Sequence, residues 1–225
     1  MSRFRSETHD GVVHLLWDDG KANSVSSELL LELNEQLDQC ERDEAKGLVL
    51  VGRPGVFCAG FNLKELGQGD QTTRDLVRGG AELLLRLYGL PLPVAIGCTG
   101  HALGMGGLLL LTADVRWGSP GPHKIGLNET AIGLSMPTFG SELAAARLSR
   151  RHLQRSVLLA EIYGPDAAVD AGFLDRVCPG DTLTEALAAE GARLAAQGGK
   201  HFARTKRRLR ENTIDRIRAS FAHEL

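Results

Sequence analysis

The sequence predicts an α/β fold in which crossover helices join parallel strands. Short apolar runs alternate along the chain with segments of helical periodicity, and this alternation is typical of strand-helix-strand units. Two glycine-rich stretches, at 57–66 and 100–111, follow the second and third predicted strands. Because glycine lets the backbone come close to a ligand, these stretches mark the candidate site.

The first predicted elements are a strand, a helix and a buried strand. Residues 12–19 alternate in polarity like a strand with one buried face. The run GLVLVG at 47–52 is apolar throughout, as in a parallel strand that is covered on both sides. Between them, apolar side chains recur at helical spacing at Leu30, Leu33, Leu37 and Cys40.

A second helix and a third strand follow. Residues 73–89 have a helical pattern that ends at Gly89, close to two prolines that cannot continue a helix. The apolar run VAIGC at 94–98 then resumes as a strand. Since α/β sheets bind ligands at the carboxyl ends of their strands, we expect both glycine-rich turns at that edge of the sheet.

Composition narrows the class of partner. The 225 residues carry a net charge of −2, which gives no reason to expect nucleic acid or a membrane surface. The four cysteines show no CxxC spacing, no apolar leader opens the chain, and runs such as LLLL at 108–111 are too short to cross a bilayer. We expect a soluble, cytoplasmic protein that binds a small molecule.

Two glycine-rich turns can hold one oxygen atom between their backbone N–H groups. Such preorganised donors stabilise an enolate or a tetrahedral oxyanion, and each is worth about 10²–10³ in rate. The pattern therefore indicates acyl chemistry. GHALGMGG lacks the GxGxxG order of a dinucleotide site, and the serines lack a GxSxG elbow.

At these residues the chain resembles the crotonase superfamily, also called the enoyl-CoA hydratase/isomerase family. Five segments occur in the order of the family and cover most of the chain. They are KANSV at 21–25, GLVLVGRPGVFCAGFNLKEL at 47–66, LPVAIGCTGHALGMGGLLLLTADVRW at 92–117, KIGLNETAIGLSMP at 124–137 and YGPDAAVDAGFLDRV at 163–177.

The resemblance implies a crotonase-like spiral of ββα units with a helical C-terminal region. We expect residues 1–180 to form the core with a CoA thioester site, and residues 181–225 to form a helical region that is shorter than usual for the family. It also implies a homo-oligomer, either a trimer or a hexamer built from two trimers. The substrate would be an acyl-CoA thioester, with CoA as part of the substrate and with no separate cofactor and no metal.

The resemblance assigns two backbone donors. Phe61, which follows Ala59 and Gly60, matches the position of the first oxyanion-hole amide. Met105 matches the second, although the family generally has glycine there. A methionine can donate its amide if its backbone angles are ordinary, and Gly106 is the alternative donor. We expect the Met105 side chain to line the acyl pocket.

Glu129, in GLNETAIGL, matches a catalytic carboxylate of the family. A glutamate between apolar residues is expected to have a raised pKa, which suits a general base. Hydratases of the family carry a second glutamate at the position of Leu108, and one carboxylate beside a leucine orients a water molecule poorly. The segment is similar to that of Δ3,Δ2-enoyl-CoA isomerases, so we favour an isomerase over a hydratase. A catalytically weak acyl-CoA-binding protein is a further alternative.

Basic residues suggest how CoA is bound. Lys64 matches a family position near the adenine, and Ala59 and Gly60 are expected to contribute backbone contacts. Lys206 or its arginine neighbours could bind the CoA phosphates. A solvated helix face would explain the same charges.

The last segment of the chain predicts an amphipathic helix. Its apolar face would comprise Leu209, Ile214, Ile217 and Phe221. We expect either that a neighbouring subunit covers this face or that the acyl pocket is unusually open.

Overall fold

The computed structural model describes residues 2–179 and 181–224, and it confirms the predicted α/β class. The strands are β1 Phe4–His9, β2 Val12–Trp17, β3 Gly47–Gly52, β4 Gly55–Cys58, β5 Val94–Cys98, β6 Gly100–Leu103, β7 Val115–Gly118, β8 Ile125–Gly126 and β9 Arg176–Val177. The α-helices are α1 Ser27–Arg42, α2 Leu63–Leu66, α3 Asp70–Gly89, α4 Met105–Thr112, α5 Thr138–Arg147, α6 Arg150–Val157, α7 Pro165–Ala171, α8 Leu183–Gln197 and α9 Lys200–Glu224.

The strands form two sheets. The larger sheet has the order β1-β2-β3-β5-β7-β9, in which β1 is antiparallel to β2 and the remaining pairs are parallel. The smaller sheet has the parallel order β4-β6-β8. The chain therefore visits the large sheet, then the small sheet, then a helix, and repeats this course from β3, β5 and β7. This is the predicted spiral of ββα units.

The sequence prediction missed the small sheet. After β3 the chain reverses at Gly55, whose φ is 84°, and restarts as β4. After β5 it passes Thr99 and restarts as β6. The glycine-rich turns therefore follow β4 and β6, and not the strands of the large sheet, so that part of the prediction is wrong. A β-carbon on Gly100 would lie 1.9 Å from the carbonyl carbon of Gly55, so the two short strands begin in direct backbone contact.

Most of the other predicted elements are confirmed. The strands at 47–52 and 94–98 are present, and the strand predicted at 12–19 ends two residues earlier, at Trp17. The helix predicted from residue 73 begins three residues earlier, at Asp70. The edge strand β1 was not predicted, because five of its six side chains are exposed and its sequence lacks an alternating apolar pattern.

Helices cover both faces of the large sheet. On one face α8 packs on β2, β3 and β5, with Leu183 and Leu187 fully buried against Val49 and Ala95. On the other face, the large apolar cluster joins the sheet to α1, α3 and α4, and its buried members include Trp17 and Phe57. The ends of the small sheet and the start of α4 lie on this second side.

Helix α9 buries a different face from the one predicted. Ile214 and Ile217 are buried as expected. Leu209 is 78% exposed, so the prediction that it belongs to the buried face is wrong. Lys206 and Arg210 are buried instead, and they continue the same helical stripe at a spacing of four residues. The stripe packs on α3 and α5 of the same chain. A neighbouring subunit is therefore not needed to cover it.

Among the residues that the structure describes, none of the helices is both long enough and apolar enough to span a membrane.

Candidate active site

The two glycine-rich turns meet at the ends of β4 and β6. Gly60 has a φ of 103°, a conformation that favours glycine. A β-carbon on Gly60 would lie 3.3 Å from the carbonyl oxygen of Leu103 and 4.0 Å from the amide nitrogen of Met105. The small sheet thus brings the segment that contains Phe61 beside the start of α4.

The backbone of Phe61 is held by a short parallel bridge to Val25. The amide of Val25 donates to the Gly60 carbonyl at 2.9 Å, and the amide of Asn62 donates to the Val25 carbonyl at 2.8 Å. In such a bridge the intervening residue directs its own N–H to the opposite side. The Phe61 amide is therefore left unused by the bridge and points away from Val25.

Met105 is the first residue of α4, so its backbone is helical, as the sequence analysis required of a donor. The first N–H groups of a helix have no acceptor within it. Gly104 precedes them with φ 54° and ψ −118°, and turns the chain into the helix. A β-carbon on Gly106 would lie 2.2 Å from the Cys58 carbonyl oxygen, so α4 begins in contact with the end of β4. The Met105 amide nitrogen lies near Gly60, and the choice between Met105 and Gly106 as the second donor stays a prediction.

Glu129 reaches the same place from the loop after β8. A β-carbon on Gly104 would lie 3.3 Å from Glu129 Oε1. The Glu129 carbonyl accepts hydrogen bonds from the amides of Ile132 and Leu134 at 3.1 and 2.9 Å, and these fix the backbone around it. The predicted base and the turn at Met105, 24 positions apart in sequence, are thus brought together.

The side chain of Glu129 is partly buried. Burial raises its pKa above the usual value, and a hydrogen bond to its own backbone opposes this rise. Oε2 is buried and has no hydrogen-bond partner within residues 2–179 and 181–224. A carboxylate that is poorly solvated and has one oxygen without a hydrogen-bond partner can accept a proton from a bound substrate.

Leu108 lies one helical turn after Gly104, since its amide donates to the Gly104 carbonyl at 3.0 Å. Its side chain is 1% exposed. A β-carbon on Gly140 would lie 3.5 Å from Leu108 Cδ1 and 2.3 Å from Met136 Sδ. Leu108 thus occupies the position of the second glutamate of hydratases, and it lies close to the Met136 thioether and the backbone of α5.

The residues predicted to bind CoA lie on the outer side of the first turn. Lys64 and Ala59 are exposed, whereas Gly60 is buried. Lys64 belongs to α2, which Asn62 caps by accepting the Lys64 amide at 3.0 Å. The role of these residues in CoA binding stays a prediction.

Lys206 does not fit its predicted role. Its ammonium is buried and donates to the Leu92 carbonyl at 3.0 Å and to Asp114 Oδ2 at 2.7 Å. Arg210 donates to Asp114 Oδ1 at 2.8 Å. Burial lowers the pKa of Lys206 to about 8, although Asp114 opposes this shift. Two cations and one carboxylate therefore anchor α9 inside the molecule, so neither CoA binding nor a solvated helix face describes Lys206.

Three residues near the site were not singled out from the sequence. Asn128 Oδ1 lies 3.4 Å from the β-carbon position of Gly104, beside the Glu129 carboxylate. Gly104 itself makes room for both side chains. Gly80 of α3 contacts the Phe61 ring, since a β-carbon there would lie 2.5 Å from Phe61 Cζ. A glycine in the middle of a helix disfavours it, and that cost was the available signal.

A cavity of about 850 Å³ lies elsewhere, between α8 and the outer face of β1–β3. Its lining includes Arg5, His14, Val49 and Thr184. Its lining does not include Glu129, Phe61 or Met105. This cavity is therefore separate from the candidate active site.

The ββα spiral with its paired sheets defines a crotonase fold, and the sequence match gives the family. The sequence profile of the enoyl-CoA hydratase/isomerase family matches residues 7–225. The chain belongs to this family, as its motifs indicated.

Individual relatives carry the names of more than one activity. The chain is 30% identical over 211 residues to human mitochondrial enoyl-CoA delta isomerase 1, an alignment that covers 92% of this chain and 70% of the human protein. It superposes on an enoyl-CoA hydratase/isomerase family protein from Pseudomonas syringae with a TM-score of 0.95 and 36% identity, covering 99% and 98% of the two chains. It superposes on an enoyl-CoA hydratase from Mycobacterium marinum with a TM-score of 0.93 and 32% identity, covering 99% of each chain.

Proposed function

We propose that this protein is an enoyl-CoA isomerase that moves a double bond from C3 to C2 of an acyl-CoA thioester. The observation that carries the proposal is the position of Glu129 against Gly104, one residue before the predicted amide donor Met105. A single carboxylate beside two backbone donors meets the requirements of a proton shift next to a thioester.

The proposed reaction moves one proton. The Glu129 carboxylate takes a proton from C2 of a 3-enoyl thioester, and the electrons of that C–H bond pass into the carbonyl to give a dienolate. The amides of Phe61 and Met105 form an oxyanion hole that holds the developing negative charge. Protonated Glu129 then returns the proton to C4, so that C2=C3 replaces C3=C4 and the carboxylate is restored.

The surroundings of Leu108 support a proton shift over the addition of water. Hydration needs an oriented water molecule, and Leu108 with Met136 supplies no hydrogen-bonding group beyond the backbone. The human relative is named an enoyl-CoA delta isomerase, which supports the same choice.

Hydration remains the second candidate, since the Mycobacterium marinum neighbour is described as a hydratase at a similar level of identity. Binding of acyl-CoA with little catalysis is the third, and the methionine at position 105 is the feature that favours it.

The same proposal includes CoA as part of the substrate, with no separate cofactor. Lys64 would approach the adenine, and the backbone at Ala59 and Gly60 would contact the thioester arm. A homo-oligomeric trimer or hexamer and a cytoplasmic location are further parts of the proposal. The human relative is described as mitochondrial.

The experiment that tests the proposal uses a 3-enoyl-CoA and, separately, a 2-enoyl-CoA. Formation of the conjugated thioester is followed by its absorbance for the wild type and for Glu129→Gln. The proposal predicts 2-enoyl-CoA from the wild type alone. Loss of 2-enoyl absorbance without isomerisation would instead identify a hydratase, and binding without any reaction would identify the third candidate.

A further inference from the structure

Two adjacent glycines, Gly79 and Gly80, lie in the middle of α3. Each disfavours a helix by about 1 kcal/mol relative to alanine. The two glycines face different neighbours. A β-carbon on Gly79 would lie 2.9 Å from Leu30 Cδ1, the movable end of a side chain of α1. A β-carbon on Gly80 would overlap the edge of the Phe61 ring.

The contact at Gly80 involves both predicted amide donors. Phe61 Cζ and Cε1 lie 2.5 and 2.6 Å from the β-carbon position of Gly80, and Met105 Cε lies 3.4 Å from it. Met105 is 1% exposed, and the Phe61 ring is partly buried against the main apolar cluster. The side chains of the two donor residues therefore meet over one glycine.

The backbone of Phe61 is fixed from the opposite side by the bridge between Gly60, Val25 and Asn62. The bridge thus holds the backbone of Phe61, and α3 contacts its ring. Any methyl group on Gly80 would have to displace the ring by about 1 Å to reach an ordinary van der Waals separation.

We infer that Gly80 is a positioning residue for the reaction, and that it sets the place of the Phe61 amide through the Phe61 ring. This inference rests on the proposed function, because it assumes that the Phe61 amide holds the thioester oxygen. The Phe61 side chain then holds a backbone donor in place, and the absence of a side chain at Gly80 leaves the space for its ring.

The test compares Gly80→Ala with Gly79→Ala, which adds the same methyl group to the same helix one residue away. Misplacing a donor by about 1 Å costs on the order of 10²-fold in rate. We therefore expect Gly80→Ala to lower kcat for 3-enoyl-CoA isomerisation about 10²-fold with KM changed by less than about threefold. Gly79→Ala should keep the wild-type kcat. Equal kcat values for the two variants would overturn the inference.

A double variant distinguishes an effect of the contact between Gly80 and the Phe61 ring from a general loss of folding. Replacing the ring in Gly80→Ala/Phe61→Leu removes the overlap, so this double variant should recover about tenfold of kcat relative to Gly80→Ala. Additive losses from the two changes would contradict the inference, since they would show that Gly80 acts independently of the ring.

A third readout does not depend on turnover. Butyryl-CoA labelled with ¹³C at the carbonyl carbon reports how strongly the thioester oxygen is held, because hydrogen bonds to that oxygen move the resonance downfield. We expect the downfield shift with the wild type and Gly79→Ala, and a smaller shift with Gly80→Ala at saturation. A full shift with Gly80→Ala would overturn the inference. A wild type that produces the shift but does not isomerise 3-enoyl-CoA would overturn the proposed function alone.

Discussion

The carboxylate of Glu129 packs against Gly104, where a β-carbon on the glycine would lie 3.3 Å from Oε1. This contact connects the loop after β8 to the turn that opens α4. It requires glycine twice, because Gly104 also has a positive φ of 54°. The candidate base and the candidate donor Met105 therefore depend on the same residue.

Gly104→Ala should lower kcat by more than its loss of stability accounts for. The methyl group would push Glu129 and Asn128 aside, and we expect kcat to fall by about 10² or more. Gly199→Ala is the matched control, since Gly199 has a φ of 95° with no atom near its β-carbon position. Both variants should lose stability in thermal unfolding, but only Gly104→Ala should lose kcat. Similar kcat values for the two would contradict this account.

Glu129→Gln should separate catalysis from stability. Removing the base should lower kcat by about 10²–10⁴. The pKa of Glu129 is raised in the folded protein, so the folded state favours the protonated carboxyl, and the stability of the wild type decreases as pH rises through that pKa. At pH 7 the variant should therefore have a Tm equal to or above that of the wild type. A large fall in Tm would indicate a structural role for the carboxylate.

The same pKa shift predicts the pH profile of the wild type. Only the ionised carboxylate can take the proton from C2, so kcat/KM should increase with pH through the pKa of Glu129 in the free enzyme, with a midpoint above the ordinary value of 4.5. A profile of kcat/KM measured from acid to neutral pH checks this. A midpoint at or below 4.5 would contradict it.

Asp114→Asn should lower the free energy of unfolding more than most other polar substitutions in the chain. It would leave Lys206 and Arg210 buried without their carboxylate, and breaking a buried pair in this way costs about 3–5 kcal/mol. Lys206→Met should cost less, because Asp114 keeps Arg210 and the Val94 amide at 2.8 Å. Urea unfolding of the two variants gives the order. A smaller loss for Asp114→Asn than for Lys206→Met would contradict the anchor described here.

Lys64→Ala tests the CoA site away from the chemistry. Lys64 is exposed on α2, and a contact that it makes equally to substrate and transition state would appear in KM alone. We expect KM for the CoA thioester to rise severalfold, about 1 kcal/mol of binding, with kcat unchanged. An unchanged KM would remove Lys64 from the CoA site.

Periodicity and motif spacing predicted three strands of the large sheet, β2, β3 and β5, the helices α1 and α3, and the two turns, because each of these depends on residues close together in sequence. The small sheet was missed since β4 and β6 are four residues long and follow directly on β3 and β5. Its short strands contain glycines and lack a distinct apolar pattern, so they were assigned to the turns themselves.

The buried face of α9 shows a different limit. Apolar spacing predicted a buried Leu209, which is exposed, and did not indicate Lys206 and Arg210, which are buried. Their carboxylate partner lies 92 and 96 positions earlier in the chain. A basic residue is recognised as part of a core only once the fold supplies such a partner. The pair Gly79 and Gly80, by contrast, was visible in the sequence as an unfavourable feature of a helix.

The measurement that tests the central claim most directly follows a labelled proton. A 3-enoyl-CoA carrying deuterium at C2 is converted in a single turnover, and the product is analysed for deuterium at C4. If Glu129 carries the proton from C2 to C4, part of the label should appear at C4 of 2-enoyl-CoA with no hydroxyacyl-CoA formed. Accumulation of a 3-hydroxyacyl-CoA, or a product with only solvent hydrogen at C4, would contradict transfer by this single carboxylate.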